Sequence, residues 1–214
     1  MSISSAANSI IVLDFETTGL SPQQGDRAIE IGAIKLHQGE VVDRFQSLMN
    51  PGFRVSGFIE GYTGITNTML ADAPSCAEVM DQFADFIQGS NLLAHNASFD
   101  QRFLDAELQL INRDYKGKFA CSLLVSRRLH QESHSHRLGD LVKYHQIEND
   151  GVFHRALADA EMTARLWQVQ LATLQEKYAI ADPSFELLVK VGKTAKASVD
   201  QMLQKEARKI ALRS

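Results

Sequence analysis

Two cysteines in 214 residues cannot build a disulfide framework, so Cys76 and Cys121 are expected to be reduced thiols in a cytoplasmic protein. Long apolar runs are missing too: none approaches the roughly 20 residues needed to span a bilayer, and no membrane partner is expected. The N-terminus lacks the basic start and apolar stretch of a signal peptide. No internal repeat or low-complexity segment is present. Positive charge is scarce as well. A net charge of −4 would by itself argue against a nucleic-acid binder. The charge is uneven, however. From Glu186 to Ser214 seven Lys/Arg stand against three acids, a net of +4, which leaves −8 on the other 185 residues. Such asymmetry fits a tail that touches a polyanion, and equally a solvated amphipathic helix.

What is present suits a soluble globular α/β protein, with 44% hydrophobic and 22% charged residues. Residues 10–15 read as a buried strand, apolar and β-branched. Pro22 and Gly25 mark a turn. Residues 27–37 and 40–49, separated by Gly39, read as two more strands, which completes an antiparallel meander. Helical periods follow. Residues 75–88 carry Val79, Phe83, Phe86 and Ile87 on one face. A short strand at 91–95 leads to a helix opened by Ser98. Residues 118–125 read as a strand passing into a helix. A long helix over 155–178 repeats Leu157, Ala160, Ala164, Trp167, Leu171 and Leu174. A helical pair at 183–191 and 195–212 ends the chain. The pattern predicts a mixed sheet with helices against it, plus a helical C-terminal extension.

Three segments carry chemistry. In DFETTG, Asp14 and Glu16 are i and i+2 on a strand, so both leave the same face and repel unless a cation or proton lies between them. In HNASFD, Asp100 sits in the first turn of a helix. There Ser98 with Gln101 would make an ordinary capping box. In HRALAD, His154 precedes a helix and Asp159 lies near its first turn, where the helix dipole alone would account for an acid. Each segment has a bland explanation singly. Together they put four acids and a histidine at junctions of strand, loop and helix. Hard divalent cations suit such a cluster, and two of them support phosphoryl transfer.

In this order the three segments resemble the exonuclease motifs of the DnaQ-like DEDDh family, and residues 74–100 resemble its proofreading (epsilon) branch in bacterial DNA polymerase III. The resemblance covers roughly residues 9–175. It implies a ribonuclease H-like fold with a central mixed five-stranded sheet. It also implies an exonuclease domain over 1–180, a basic helical extension over 181–214, and 3′→5′ release of nucleoside monophosphates with two Mg²⁺ or Mn²⁺ ions. By position, Asp14, Glu16 and Asp159 would hold the first metal. Asp14 would also hold the second, with Asp100 nearby. His154 would be the general base. Phe15, Thr17, Asn96 and Phe99 would line the nucleotide pocket, and Ile65 would wedge against the last base. Thr63 stands where the epsilon branch has His. No stretch resembles that branch's clamp-binding segment or its polymerase-binding tail, so a stand-alone enzyme, or one with a different partner, is expected. Single-stranded DNA 3′ ends are the expected substrate. The alternatives are an RNA trimmer of RNase T or oligoribonuclease type and a non-catalytic binding module.

Other features read as structure. His130, His134 and His136 belong to a polar loop before the helix at Leu138, Cys121 and Trp167 are core, and Cys76 is inert.

Overall fold

The computed structural model describes residues 3–148 and 155–212. At its centre is a mixed sheet of five strands in the order β3-β2-β1-β4-β5. β1 (Ile11–Thr17), β2 (Ala28–His37) and β3 (Glu40–Leu48) form the antiparallel meander. β4 (Leu92–Ala94) lies parallel to β1, and β5 (Phe119–Cys121) lies parallel to β4.

β1 serves two cores because its side chains alternate between faces. Ile11, Leu13 and Phe15 pack with Phe83 of α3 (Cys76–Ile87) and Leu104 of α4 (Ser98–Leu110). Ile10 and Val12 pack on the opposite face with Trp167 of α7 (Ala156–Tyr178) and Phe185 of α8 (Phe185–Lys193). Asp14 and Glu16 extend that second face, toward α7. A third, small cluster joins Ile29 and Val55 to Ile65 and Leu70, the last on α2 (Asn67–Ala71). α1 (Gly57–Thr63) precedes it. α5 (Ser122–Leu129) and α6 (Leu138–Tyr144) follow β5, and α9 (Val199–Ala211) is the last helix described.

Local chemistry explains the helix starts. Ser75 and Glu78 form a reciprocal capping box at α3, a device worth about 1 kcal/mol. The box expected at Ser98 and Gln101 is not formed. Ser98 is the first residue of α4, and no side chain caps Ala97. Instead the chain turns out of β4 through Asn96, whose φ of 70° lies in the left-handed region that asparagine tolerates. The Asn96 carbonyl then accepts the Phe99 N–H at 2.9 Å.

The C-terminal helices join the main core. The Phe185 N–H donates to the Ser5 carbonyl at 2.7 Å, and the Ala7 N–H donates to the Pro183 carbonyl at 3.1 Å. Phe185, Leu188, Val191, Val199 and Leu203 pack in one cluster with Trp167. Packing therefore runs across residue 180 without a seam. No helix among the described residues is long and apolar enough to cross a membrane.

Candidate active site

The site forms where β1 and β4 end and α7 begins. Asp14, Glu16 and Asp159 each present a carboxylate oxygen, and these oxygens lie within 4.8 Å of one another. Among the described residues this is the only group of three or more potential metal ligands so close. Asp100 is not in that trio. It is 2% exposed, and its Oδ1 accepts the Phe15 N–H at 3.1 Å, which ties α4 to β1. The register shifts between Glu16 and Thr17, where Glu16 pairs with Glu30 and Thr17 with Ala28, so Ile29 is the extra residue of a β2 bulge, a common device beside active sites.

The bare acids are electrostatically uncomfortable. Burial, then the nearby carboxylates of Asp100, Asp159, Glu16 and Glu30, hold Asp14 well above the usual carboxylate range. Burial first, and Asp159 next, raise Glu16 to about 8. Burial raises Asp100 to about 7, against the opposing effect of the Phe15 N–H. Three acids whose pKa values are all raised by burial form a site that a divalent cation would relieve.

Two interactions that the sequence did not reveal position the third acid. Glu30, fully buried on β2, accepts Nε and Nη2 of Arg155 and the Ala156 N–H at 3.2, 2.9 and 3.1 Å. This carboxylate grips the start of α7, one turn before Asp159. Gly32 pairs with Asp14 across the sheet. A Cβ on Gly32 would stand 2.0 Å from the Leu157 backbone nitrogen, so only glycine lets α7 rest against β2 here.

A cleft of about 670 Å³ opens over the acids. Phe15, Thr17, Thr63, Asn96 and Phe99 line it. Ile65 does not. It is fully buried against Ile29, Val55 and Leu70 and cannot wedge against a base. The exposed apolar groups at the cleft are Leu20, Phe58 and Tyr62. Phe58 and Tyr62 stack on each other along α1, with centroids 6.0 Å apart and planes 10° apart. Their i, i+4 spacing was the available signal. Leu20 is held out by its loop: Asp26 accepts from the Thr18 hydroxyl and the Ser21 N–H, and Gly19 leaves room for that carboxylate.

His95 begins the second motif and also faces the cleft, but it is no base. Its Nε2 lies 2.9 Å from the His136 carbonyl and must donate, so Nδ1 accepts the Ser122 hydroxyl at 2.8 Å. Burial pushes its pKa down to about 4. The loop expected to be merely polar is latched by this histidine, and within it His130 is buried. Among the described residues His130, His134 and His136 form no metal-binding group. His154 lies outside the described residues. Cys121 is half-buried rather than core, whereas burial raises the Cys76 thiol to about 11.

A family model described as Exonuclease (RNase T) matches residues 11–167. The chain belongs to this exonuclease family. Its fold, a mixed five-stranded sheet flanked by helices, is the ribonuclease H-like fold shared with solved DEDDh exonucleases. The DNA polymerase III PolC-type protein of Caldanaerobacter subterraneus subsp. tengcongensis is 37% identical over 166 residues, which is 78% of this chain and 12% of that protein. The corresponding Staphylococcus aureus protein is 36% identical over 167 residues, again 78% and 12%. The exonuclease thus spans 12% of the length of these curated relatives. Among solved structures, exonuclease X in complex with 5′ overhanging duplex DNA aligns with a TM-score of 0.66 and 25% identity, covering 86% of this chain and 99% of that one. The nuclease domain of 3′hExo, a DEDDh family member bound to rAMP, shares the fold at 20% identity, with a TM-score of 0.67 over 86% and 98% of the two chains.

Proposed function

We propose that this exonuclease removes nucleoside 5′-monophosphates from the 3′ end of single-stranded DNA, in a proofreading or repair role. The observation that carries the reading is the Asp14–Glu16–Asp159 trio at the floor of a cleft whose rim is the Phe58–Tyr62 stack. Asp14, Glu16 and Asp159, with Asp100 beside them, fit two Mg²⁺ or Mn²⁺ ions: the donors are hard oxygens, and their raised pKa values mark an unmet need for positive charge. Bound there, such ions supply Lewis-acid activation of water and stabilise the leaving oxygen.

The chain does the rest. Phe99 and the α1 aromatics offer faces on which a splayed base stacks, at about 1–3 kcal/mol per base without regard to sequence. Thr17 and Asn96 line the wall where the sugar and backbone polar groups would lie. Phe15 holds Asp100 through its N–H. His154 accepts the proton of the attacking water. The PolC-type relatives support a polymerase context, and a polymerase partner in trans or on a longer chain is part of the proposal.

The test is nucleotide release from labelled single-stranded, duplex and mismatched 3′ ends, in DNA and RNA, with Mn²⁺ or Mg²⁺. Fastest release from single-stranded DNA is expected. Faster release from RNA would make the chain an RNA trimmer. Inactivity equal to that of Asp14→Ala would leave a non-catalytic binding module. His154→Ala should lower kcat by about 10²–10⁴-fold, the usual worth of a general base, while Mn²⁺ affinity measured by titration calorimetry is retained. Loss of Mn²⁺ binding in that variant would contradict the assignment.

A further inference from the structure

Asp14, His95 and Asp159 line two cavities. One is the cleft described above, with α1 as its other wall. The second, of about 460 Å³, is walled by α6 and contains Arg137, Asp140 and Lys143. We propose that Arg137 and Lys143 form a subsite for a backbone phosphodiester of the bound strand, upstream of the bond that is cut. The proposal rests on the nucleic-acid reading of the neighbouring cleft.

Both cations are exposed, and neither takes part in any ion pair among the described residues. Arg27, Arg44, Arg113 and Arg155, in contrast, each face a carboxylate. Asp140 is the nearest acid on their own helix, and it is engaged by the Ser135 hydroxyl at 2.6 Å.

The loop that carries Arg137 is fastened to the catalytic region. The His136 carbonyl accepts from His95, and His136 Nε2 lies 3.0 Å from the His130 carbonyl. The Ser133 hydroxyl donates to the Ser135 carbonyl at 2.7 Å. Arg137 therefore follows directly on a residue bonded to the strand end that carries the second motif. Preorganised positive charge has a clear use here. A polyanionic strand must lie across a floor of carboxylates, and fixed cations beside that floor offset the repulsion. Arginine meets a phosphate with two parallel N–H groups, and lysine meets it as a point charge.

The occupant can be a strand phosphodiester or the phosphate of a released nucleotide. Affinity and cleavage separate these sources. Binding of oligo(dT) is read by fluorescence anisotropy in Ca²⁺, and cleavage is read in Mn²⁺. Wild type is compared with Arg137→Gln and Lys143→Gln, on natural strands and on strands with one uncharged methylphosphonate at each of the three linkages upstream of the scissile bond.

Each variant should weaken binding of natural strands about 10-fold, the worth of one charge-assisted contact. The salt slope should fall by about 0.7 per lost contact on a single strand. At one linkage the methylphosphonate should cost wild type more than it costs either variant, because each variant has already lost one of the two contacts made there. Additive penalties at every linkage, or unchanged salt slopes, would overturn the subsite. So would a variant that weakens inhibition by thymidine monophosphate as much as it weakens strand binding, because the site would then hold product. Arg137-dependent binding without any Mn²⁺ cleavage would keep the subsite and discard the exonuclease reading. Cleavage indifferent to Arg137 would do the reverse.

Discussion

Glu16 holds its proton to about pH 8, against 4.5 for an ordinary glutamate, and Asp100 holds its own to about 7. Between the ordinary and raised values the folded chain binds more protons than the unfolded chain. Stability of the metal-free protein should therefore be greatest at the acid end of this window and fall as pH rises from about 4.5 to about 8. A divalent cation takes over the role of those protons. Melting in EDTA should give a lower Tm at about pH 8 than at about pH 5, and Mg²⁺ or Mn²⁺ should raise Tm more at the higher value. A Tm without pH dependence in EDTA would contradict the electrostatic account. At this scale the acids were legible because three short motifs fall at element junctions. Their partners were not. The Phe15 N–H that holds Asp100 is 85 residues away in the chain. Ile65 looked accessible in YTGIT, but the turn after α1 points it into the small core around Ile29.

α7 must start at one place for Asp159 to meet Asp14, and two β2 residues decide where. Glu30 binds its first backbone N–H, and Gly32 sets its distance from the sheet. Gly32→Ala should cost about 1–3 kcal/mol, as overpacking does. At temperatures where the variant is still folded, it should also lose far more turnover than stability, because the helix carrying Asp159 is displaced. Wild-type turnover in a folded Gly32→Ala protein would refute this role. Element types were legible from period, and β1 to β5 fall where alternation and short apolar runs put them. The reason for Gly32 was not. Within RAIEIGAIKLH it alternates like any small strand residue, and only the docked helix reveals the constraint. The same holds for residues 130–137, whose polar composition concealed a loop pinned by His95.

The extension past residue 180 bears on how its charge can be tested. Deleting residues 183–214 removes Phe185, Leu188 and Val191 from the Trp167 cluster. A fully buried large apolar side chain is worth about 1.5–3 kcal/mol. The truncated protein should melt well below the full chain, and its nucleic-acid affinity would report damage rather than lost charge. Lys193, Lys196 and Lys205 are exposed on the same helices and their connection. Replacing these three with Gln should leave Tm nearly unchanged. If the tail grips phosphates, the salt slope for single strands falls by about 0.7 per contact. An unchanged slope would leave the tail as packing alone. The uneven charge was legible in the sequence. The docking was not, because the amphipathic pattern of 183–212 suits either a free helix or a seated one.

Trp167 is the chain's single tryptophan, and it is fully buried. Its indole N–H donates to the Ala7 carbonyl at 2.8 Å, and its ring lies 6.5 Å from that of Phe185. One chromophore thus touches the N-terminal segment, the long helix bearing Asp159 and the first helix of the extension. Its emission is a native optical gauge of whether both chain ends are seated, and it can be followed without a label while metal or nucleic acid is titrated into the cleft.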